Sequence, residues 1–163
     1  MKTLDSIADL PQIPAVYAMY GGRGRGKHIA YVGVGEKLKR RVRQHLVRRN
    51  SSVTTGVSVV TLNPELVSEV HWWEHPEFAQ RHVLQAAELV AFEVFNPSLR
   101  SRGTPSEPAR EVYEDEAFRA GMMDLFRGEP AGRLVIPTLE DALERIAALE
   151  QRVAELERRL GEE

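Results

Sequence analysis

The sequence contains no cysteine among its 163 residues. This absence excludes disulfides, cysteine-ligated zinc, a cysteine nucleophile and thiol redox chemistry, and it is typical of a protein that works in a reducing compartment. Long apolar runs are also lacking, and the charged residues near the start do not resemble the hydrophobic block of a signal peptide. We therefore expect a cytoplasmic protein with no membrane partner.

The formal net charge of -2 indicates no overall preference for a charged partner. The charge is nevertheless segregated along the chain: residues 1–100 carry 13 Lys+Arg against 9 Asp+Glu, a net +4, and the remainder carries 9 against 15, a net -6. Residues 23–49 hold ten basic side chains and a single acid, Glu36. Such density predicts a phosphate-binding surface, with a solvated helix face as the alternative. The predicted nucleic-acid contacts are Arg23, Arg25, Lys27, Lys37, Lys39, Arg40, Arg43, Arg48 and Arg49.

Apolar residues recur in alternating steps of three and four near the C-terminus, which predicts a coiled-coil helix. The seam consists of Leu139, Ala142, Ile146, Leu149, Val153, Leu156 and Leu160. Ile146 and Val153 at a positions are β-branched, whereas Leu149 and Leu156 at d positions are not, and this combination favours a parallel two-stranded coil. An amphipathic helix folded back onto its own domain is the alternative, but the stripe is narrow for that role.

The flanking residues of this helix agree with a parallel homodimer. Arg145 and Arg152 occupy g positions, and an acid follows each at the next e position, so opposite charges would face each other across the dimer. Thr138 and Asp141 resemble a capping box, which places the helix start near Leu139.

The remaining pattern predicts a mixed α/β (α+β) chain. We expect strands at residues 15–20, 28–33, 57–62 and 70–73, with a hairpin loop at 21–27, and helices at 36–49, 76–95 and 109–127. The chain divides into a domain at 1–100, a linker and helical arm at 101–137, and a coiled-coil helix at 138–163. Trp72 and Trp73 are adjacent in a predicted strand and point to opposite faces, so we expect at most one to be buried.

Five side chains are candidates for chemistry. Tyr17 and Tyr31 lie on predicted strands, and Arg41 and His45 share one face of a helix, one turn apart. Glu88 has mainly apolar neighbours at helical spacing, and a carboxylate on such a face requires a cation or hydrogen-bond donors. Taken singly, each residue could be structural, and Glu93 has a claim similar to that of Glu88 on periodicity alone.

These residues form an ordered set that resembles the motifs of the GIY-YIG nucleases over residues 11–100. The set comprises Ala15-Val16-Tyr17, Tyr31-Val32-Gly33, Leu38 with Arg41 and His45, and Glu88 followed nine residues later by Pro97. The sequence departs from the family in reading Ala-Val-Tyr in the first motif and in lacking the Asn that often follows the proline. The resemblance implies a small three-stranded antiparallel sheet flanked by helices, one divalent metal, and Glu88 rather than Glu93 as its ligand.

The chemistry expected from this resemblance is metal-dependent hydrolysis of phosphodiester bonds in DNA by a coiled-coil dimer. Glu88 would hold Mg²⁺ or Mn²⁺, and Arg41 would stabilise charge on the phosphate. Tyr17 or Tyr31 would orient or deprotonate the attacking water, and His45 would accept or relay its proton. The alternative is a non-catalytic nucleic-acid-binding or scaffolding module that recruits partners through the coiled coil.

Overall fold

The computed structural model describes residues 1–22, 24–47, 64–100 and 103–161, apart from the side chains of Pro64 and Glu140. Within these ranges the mixed α+β class is confirmed. The elements in chain order are β1 (Lys2–Leu4), β2 (Ala15–Gly21), β3 (His28–Gly35), α1 (Leu38–Leu46), β4 (Val67–Trp73), α2 (Arg81–Phe95), β5 (Leu99–Arg100), α3 (Glu107–Glu114), α4 (Glu116–Arg127), β6 (Gly132–Val135) and α5 (Leu139–Gly161). The predicted strand at 57–62, together with Arg23, Arg48 and Arg49, lies outside the described residues.

The strands form a single mixed sheet in the order β1-β6-β4-β2-β3-β5. Its centre is antiparallel, with β2 between β3 and β4, while β1 pairs with β6 and β5 with β3 in parallel. The prediction of three antiparallel strands is therefore wrong for the sheet as a whole. The added strands are two to four residues long, too short for a periodic signal, and β1 and β6 pair across most of the chain. β6 comes from the segment predicted as linker and arm.

Helices and loops cover both faces of this sheet. One face packs against α1 and the N-terminal segment, and the other packs against α2 and α4. The expectation that at most one tryptophan is buried is therefore wrong: Trp72 and Trp73 are each 2% exposed, on opposite faces. Gly132, opposite Trp72, makes this packing possible, because a Cβ there would lie 2.2 Å from the indole ring.

Two predicted helices are shorter or divided in the structure. A 3-10 turn at Pro76–Ala79 precedes α2, which ends at Phe95 and is followed by its C-cap Asn96, a residue in the left-handed conformation with φ 41°. The predicted helix at 109–127 is two helices. The chain breaks at Asp115, whose side chain caps α4 by accepting a hydrogen bond from the Phe118 amide at 3.0 Å.

The α5 helix begins where the sequence predicts. The Thr138 amide donates to the Asp141 carboxylate at 2.7 Å and the Asp141 amide donates back to the Thr138 hydroxyl at 3.0 Å, a reciprocal capping box. Ile146, Leu149 and Val153 are all more than half exposed, so within the described chain the seam is not folded back onto the domain. No helix in the described ranges has the length and apolar character needed to cross a membrane.

A buried polar cluster beside a basic cleft

Two tyrosines and a histidine from three successive elements meet on the α1 side of the sheet. Tyr17 lies on β2, Tyr31 on β3 and His45 on α1, and none of the three is more than 3% exposed. The Tyr17 hydroxyl and His45 Nε2 are 2.9 Å apart, and the Tyr31 and His45 rings have centroids 5.0 Å apart. The alternation of β2 and β3 and the helical period of α1 direct these polar groups into an otherwise apolar core.

Gly33 provides the space for the two hydroxyls. It pairs with Tyr17 across β2 and β3 and follows Tyr31 by two residues, so all three positions lie on one face. A Cβ at Gly33 would lie 2.7 Å from the Tyr31 hydroxyl and 2.9 Å from the Tyr17 hydroxyl. The glycine of the Tyr-Val-Gly motif therefore allows the close approach of two side chains.

Arg41 places a positive charge beside this pair of hydroxyls. Burial raises the pKa of Tyr17 and of Tyr31, and the Arg41 charge offsets part of that rise. Gly35 at the end of β3 allows α1 to pass closely, because a Cβ there would lie 3.0 Å from Arg41 Cβ. Arg41 Nη1 also donates to Gln44 Oε1 at 3.4 Å, a weak contact that a stronger acceptor could replace.

Glu88 and Glu93, which periodicity could not distinguish, lie in different environments. Glu88 is 8% exposed and close enough to raise the pKa of both tyrosines. Glu93 is exposed and accepts hydrogen bonds from Tyr113 and, at 2.9 Å, from Arg119. Glu88 therefore acts on the two tyrosines through its charge, whereas Glu93 joins α2 to the two helices that follow.

Burial keeps the two tyrosines and the histidine of the cluster neutral at pH 7. Burial raises the pKa of Tyr17 well above its usual value, and the nearby Tyr31 and Glu88 raise it further. Burial likewise raises the pKa of Tyr31. Burial and then the Arg41 charge lower the pKa of His45 to about 4. We expected a histidine with an ordinary pKa that could take a proton; its environment instead suits a neutral hydrogen-bond partner of Tyr17.

Two polar atoms of the cluster have unused hydrogen-bonding capacity. Among the described residues, the Tyr31 hydroxyl and His45 Nδ1 are buried and complete no hydrogen bond, although Tyr17 and Arg41 lie close to the Tyr31 hydroxyl. When Nδ1 carries the imidazole proton, the Tyr17 hydroxyl donates to Nε2 and Nδ1 remains an unpaired donor. Buried polar groups without a hydrogen-bond partner are uncommon in proteins because they cost folding free energy. A catalytic or ligand-binding role is one explanation for such a group.

A cleft of about 380 Å³ opens beside the cluster, between the end of β3, α1 and the first turn of α2. Its charged lining is mostly basic: Lys37, Arg40, Arg41 and Arg81 face it with one acid, Glu36. A second cleft of about 420 Å³ is lined by Gln12, Lys37, Lys39, Arg40 and Arg43. Because Lys37 and Arg40 line both, the two clefts form adjoining parts of one positively charged surface.

The predicted basic cluster is divided between two ends of the β2–β3 hairpin. Four of the basic residues lie around the clefts: Lys37, Lys39, Arg40 and Arg43. Arg25 and Lys27 lie in the turn at the other end of the hairpin, six residues along the strands, which corresponds to roughly 20 Å. Lys27 is also paired with Glu69 at 2.8 Å. Arg81 joins the cleft from a distant part of the chain, and no local pattern in the sequence indicated it.

A metal ion here would have a sparse set of protein ligands. In the described ranges, no group of three His, Asp or Glu side chains comes together. Mg²⁺ often binds through one or two carboxylates and completes its shell with water and substrate phosphate oxygens. The buried Glu88 carboxylate fits that mode of binding.

The basic side chains that line the cleft offer several N–H donors to an anion. A scan against protein-family models finds no match for the sequence, and a search among curated proteins finds none either. Function is therefore inferred from the geometry of the cluster and cleft and from the order of the motifs.

Proposed function

We propose that the chain is a divalent-metal-dependent endonuclease of the GIY-YIG type that hydrolyses phosphodiester bonds in DNA. The observation that carries this proposal is the convergence of Tyr17, Tyr31, Arg41, His45 and Glu88 from four separate elements, next to a basic cleft. A purely structural core has no need for two hydroxyls, an imidazole, a guanidinium and a carboxylate in one place. The proposed compartment is the cytoplasm, as expected for a cysteine-free enzyme acting on DNA.

Each residue of the cluster has a role that follows from its environment. Arg41, which lines the cleft, binds the nonbridging oxygens of the scissile phosphate and stabilises their charge as water adds to phosphorus. Tyr31 orients the attacking water, because its hydroxyl completes no hydrogen bond among the described residues. His45 is the hydrogen-bond partner of Tyr17 and fixes its hydroxyl beside Gly33, next to the Tyr31 hydroxyl. Glu88 would hold Mg²⁺ or Mn²⁺, which stabilises charge on the phosphate and on the leaving oxygen.

The exposed seam of α5 supports a parallel homodimer as the active form. Seven seam residues and two pairs of complementary e and g charges are compatible with a second copy of the same helix. A dimer carries two clefts, and two coordinated nicks would cut both strands of a duplex.

Cleavage of supercoiled plasmid in Mg²⁺ or Mn²⁺ tests the catalytic proposal. Wild type should convert the plasmid to nicked and linear forms, and Glu88→Gln should reduce the rate by about a thousandfold, because it removes the charged metal ligand. Glu93→Gln is the matched control on the same helix and should cut within a few-fold of wild type. Equal cleavage by wild type and Glu88→Gln would refute the proposal.

A non-catalytic nucleic-acid-binding or scaffolding module is the second candidate, and the burial of both tyrosines favours it. At 0% and 1% exposure, Tyr17 and Tyr31 are closed from solvent in this conformation. Titration with Mn²⁺ distinguishes the two functions. Binding that is lost in Glu88→Gln and kept in Glu93→Gln supports the enzyme, whereas DNA binding with no metal dependence and no cleavage supports the module.

A further inference from the structure

Glu36 and Arg81 form an ion pair at the cleft beside the buried cluster. Glu36 Oε1 and Arg81 Nε are 3.9 Å apart, and the two side chains are 67% and 79% exposed. Glu36 follows β3 and Arg81 begins α2, so the pair spans the two sides of the cleft that also contains Lys37, Arg40 and Arg41. Glu36 is the one acid in the basic segment at residues 23–49.

An exposed pair at this distance is weak. Solvent-exposed ion pairs contribute little to stability, because water screens the attraction and both side chains lose conformational freedom. A backbone phosphate offers a guanidinium two oxygens in a bidentate arrangement, which is a stronger interaction than a long contact with one carboxylate oxygen. Arg81 can therefore exchange Glu36 for a phosphate at small cost.

We propose that Arg81 is a DNA-backbone contact whose charge Glu36 partly offsets until a phosphate displaces the carboxylate. The phosphate bound by Arg81, Lys37 and Arg40 is one that flanks the phosphate at Arg41, because all four side chains line the same cleft. Glu36 thus lowers the affinity of the empty cleft for polyanions. This inference rests on the proposed function in taking DNA as the occupant of the cleft.

Anisotropy of a labelled 20-bp duplex in metal-free buffer, at several salt concentrations, tests the exchange without cleavage. Arg81→Gln should weaken binding about fivefold near 100 mM salt and flatten the plot of log affinity against log salt by about one unit, the effect of losing one phosphate contact. Glu36→Gln should tighten binding about threefold, because it removes a competing anion.

A matched ion pair outside the cleft provides the controls. Arg110 and Glu107 on α3 are 3.8 Å apart and similarly exposed. Arg110→Gln and Glu107→Gln change the net charge by the same amounts and should leave the affinity and the salt dependence unchanged. If they alter binding as much as the cleft variants do, the effect is one of bulk charge and the inference is refuted.

The double variant tests whether Glu36 acts through Arg81. Glu36→Gln should have little effect once Arg81 is glutamine, and equal tightening in both backgrounds would overturn the exchange. Wild-type affinity in Arg81→Gln would overturn it as well, even if plasmid is cut as proposed. Binding that shows these dependences without any plasmid cleavage would support the exchange and refute the nuclease.

Discussion

The buried cluster and the α5 seam differ in opposite ways from an ordinary folded protein. The cluster buries polar groups, whereas the seam exposes apolar side chains. In the cluster, the Tyr31 hydroxyl and His45 Nδ1 are buried and complete no hydrogen bond among the described residues, at a cost of about 1–3 kcal/mol for each such group. In the seam, Leu149 and Val153 are 57% and 53% exposed on a helix that leaves the domain. An exposed apolar stripe of this kind marks an interaction surface. Under our proposal, the two regions take different partners: a polar ligand would complete the cluster and a second copy of the helix would cover the seam.

Arg41→Ala tests whether the cluster is built for chemistry. Cleavage should fall by about 10²–10³-fold, mostly in kcat, because the guanidinium acts on charge that develops in the transition state. Arg43→Ala, on the same helix beside the second cleft, should lose less than about tenfold, mainly through KM. Equal losses in kcat for the two variants would contradict the distinction between a catalytic and a binding arginine.

Leu149→Asp tests whether the seam binds a second copy. A carboxylate at a d position would be buried unpaired in the coiled coil, so sedimentation should show a monomer where wild type is a dimer. Ala148→Asp introduces the same charge one residue away, outside the seam, and should remain dimeric. A monomeric wild type would leave the seam without its proposed partner.

The pH dependence of stability tests the burial of His45. Its pKa of about 4 in the folded chain lies below the ordinary value of 6.5, so the unfolded chain binds the extra proton first and stability is lost as pH falls from about 6.5 to 4. Urea unfolding at fixed protein concentration should show wild type losing about 3 kcal/mol more than His45→Gln between pH 7 and pH 4. Parallel pH profiles for the two proteins would show that His45 is not buried in this way.

Gly33→Ala tests the packing of the two hydroxyls. The added methyl would overlap both, so we expect a loss of about 1–3 kcal/mol in the free energy of unfolding, with lower cleavage as Tyr31 is displaced. The control is Gly121→Ala on α4, where a Cβ meets open space and should stabilise the helix by about 0.5–1 kcal/mol. Unchanged stability and cleavage in Gly33→Ala would mean that the hydroxyls do not need this gap.

Local patterns predicted the elements that surround the cluster. Alternation located β2 and β3, the helical period located α1 and α2, and the capping residues located the first turn of α5. Each of these signals is contained within a few turns or a few strand residues, so no knowledge of the rest of the chain is required. The ordered motifs also indicated Tyr17, Tyr31, Arg41, His45 and Glu88 as one set, although only as an expectation.

Contacts between distant parts of the chain decided the rest. The pairing of β1 with β6, the burial of Trp73 as well as Trp72, and the entry of Arg81 into the cleft all depend on residues far apart in sequence. Distant contacts also distinguish Glu88 from Glu93, which have similar neighbours on the same helix. Glu88 is close enough to affect Tyr31, whereas Glu93 binds Arg119.

The sequence by itself determined the local elements and the residue types available for chemistry, because backbone periodicity and capping act over a few residues. Only the tertiary structure decided which polar groups are buried together, which basic residues share a cleft and which carboxylate joins the tyrosines. Those outcomes depend on which faces of the sheet are covered, and that coverage is a property of the whole packed chain.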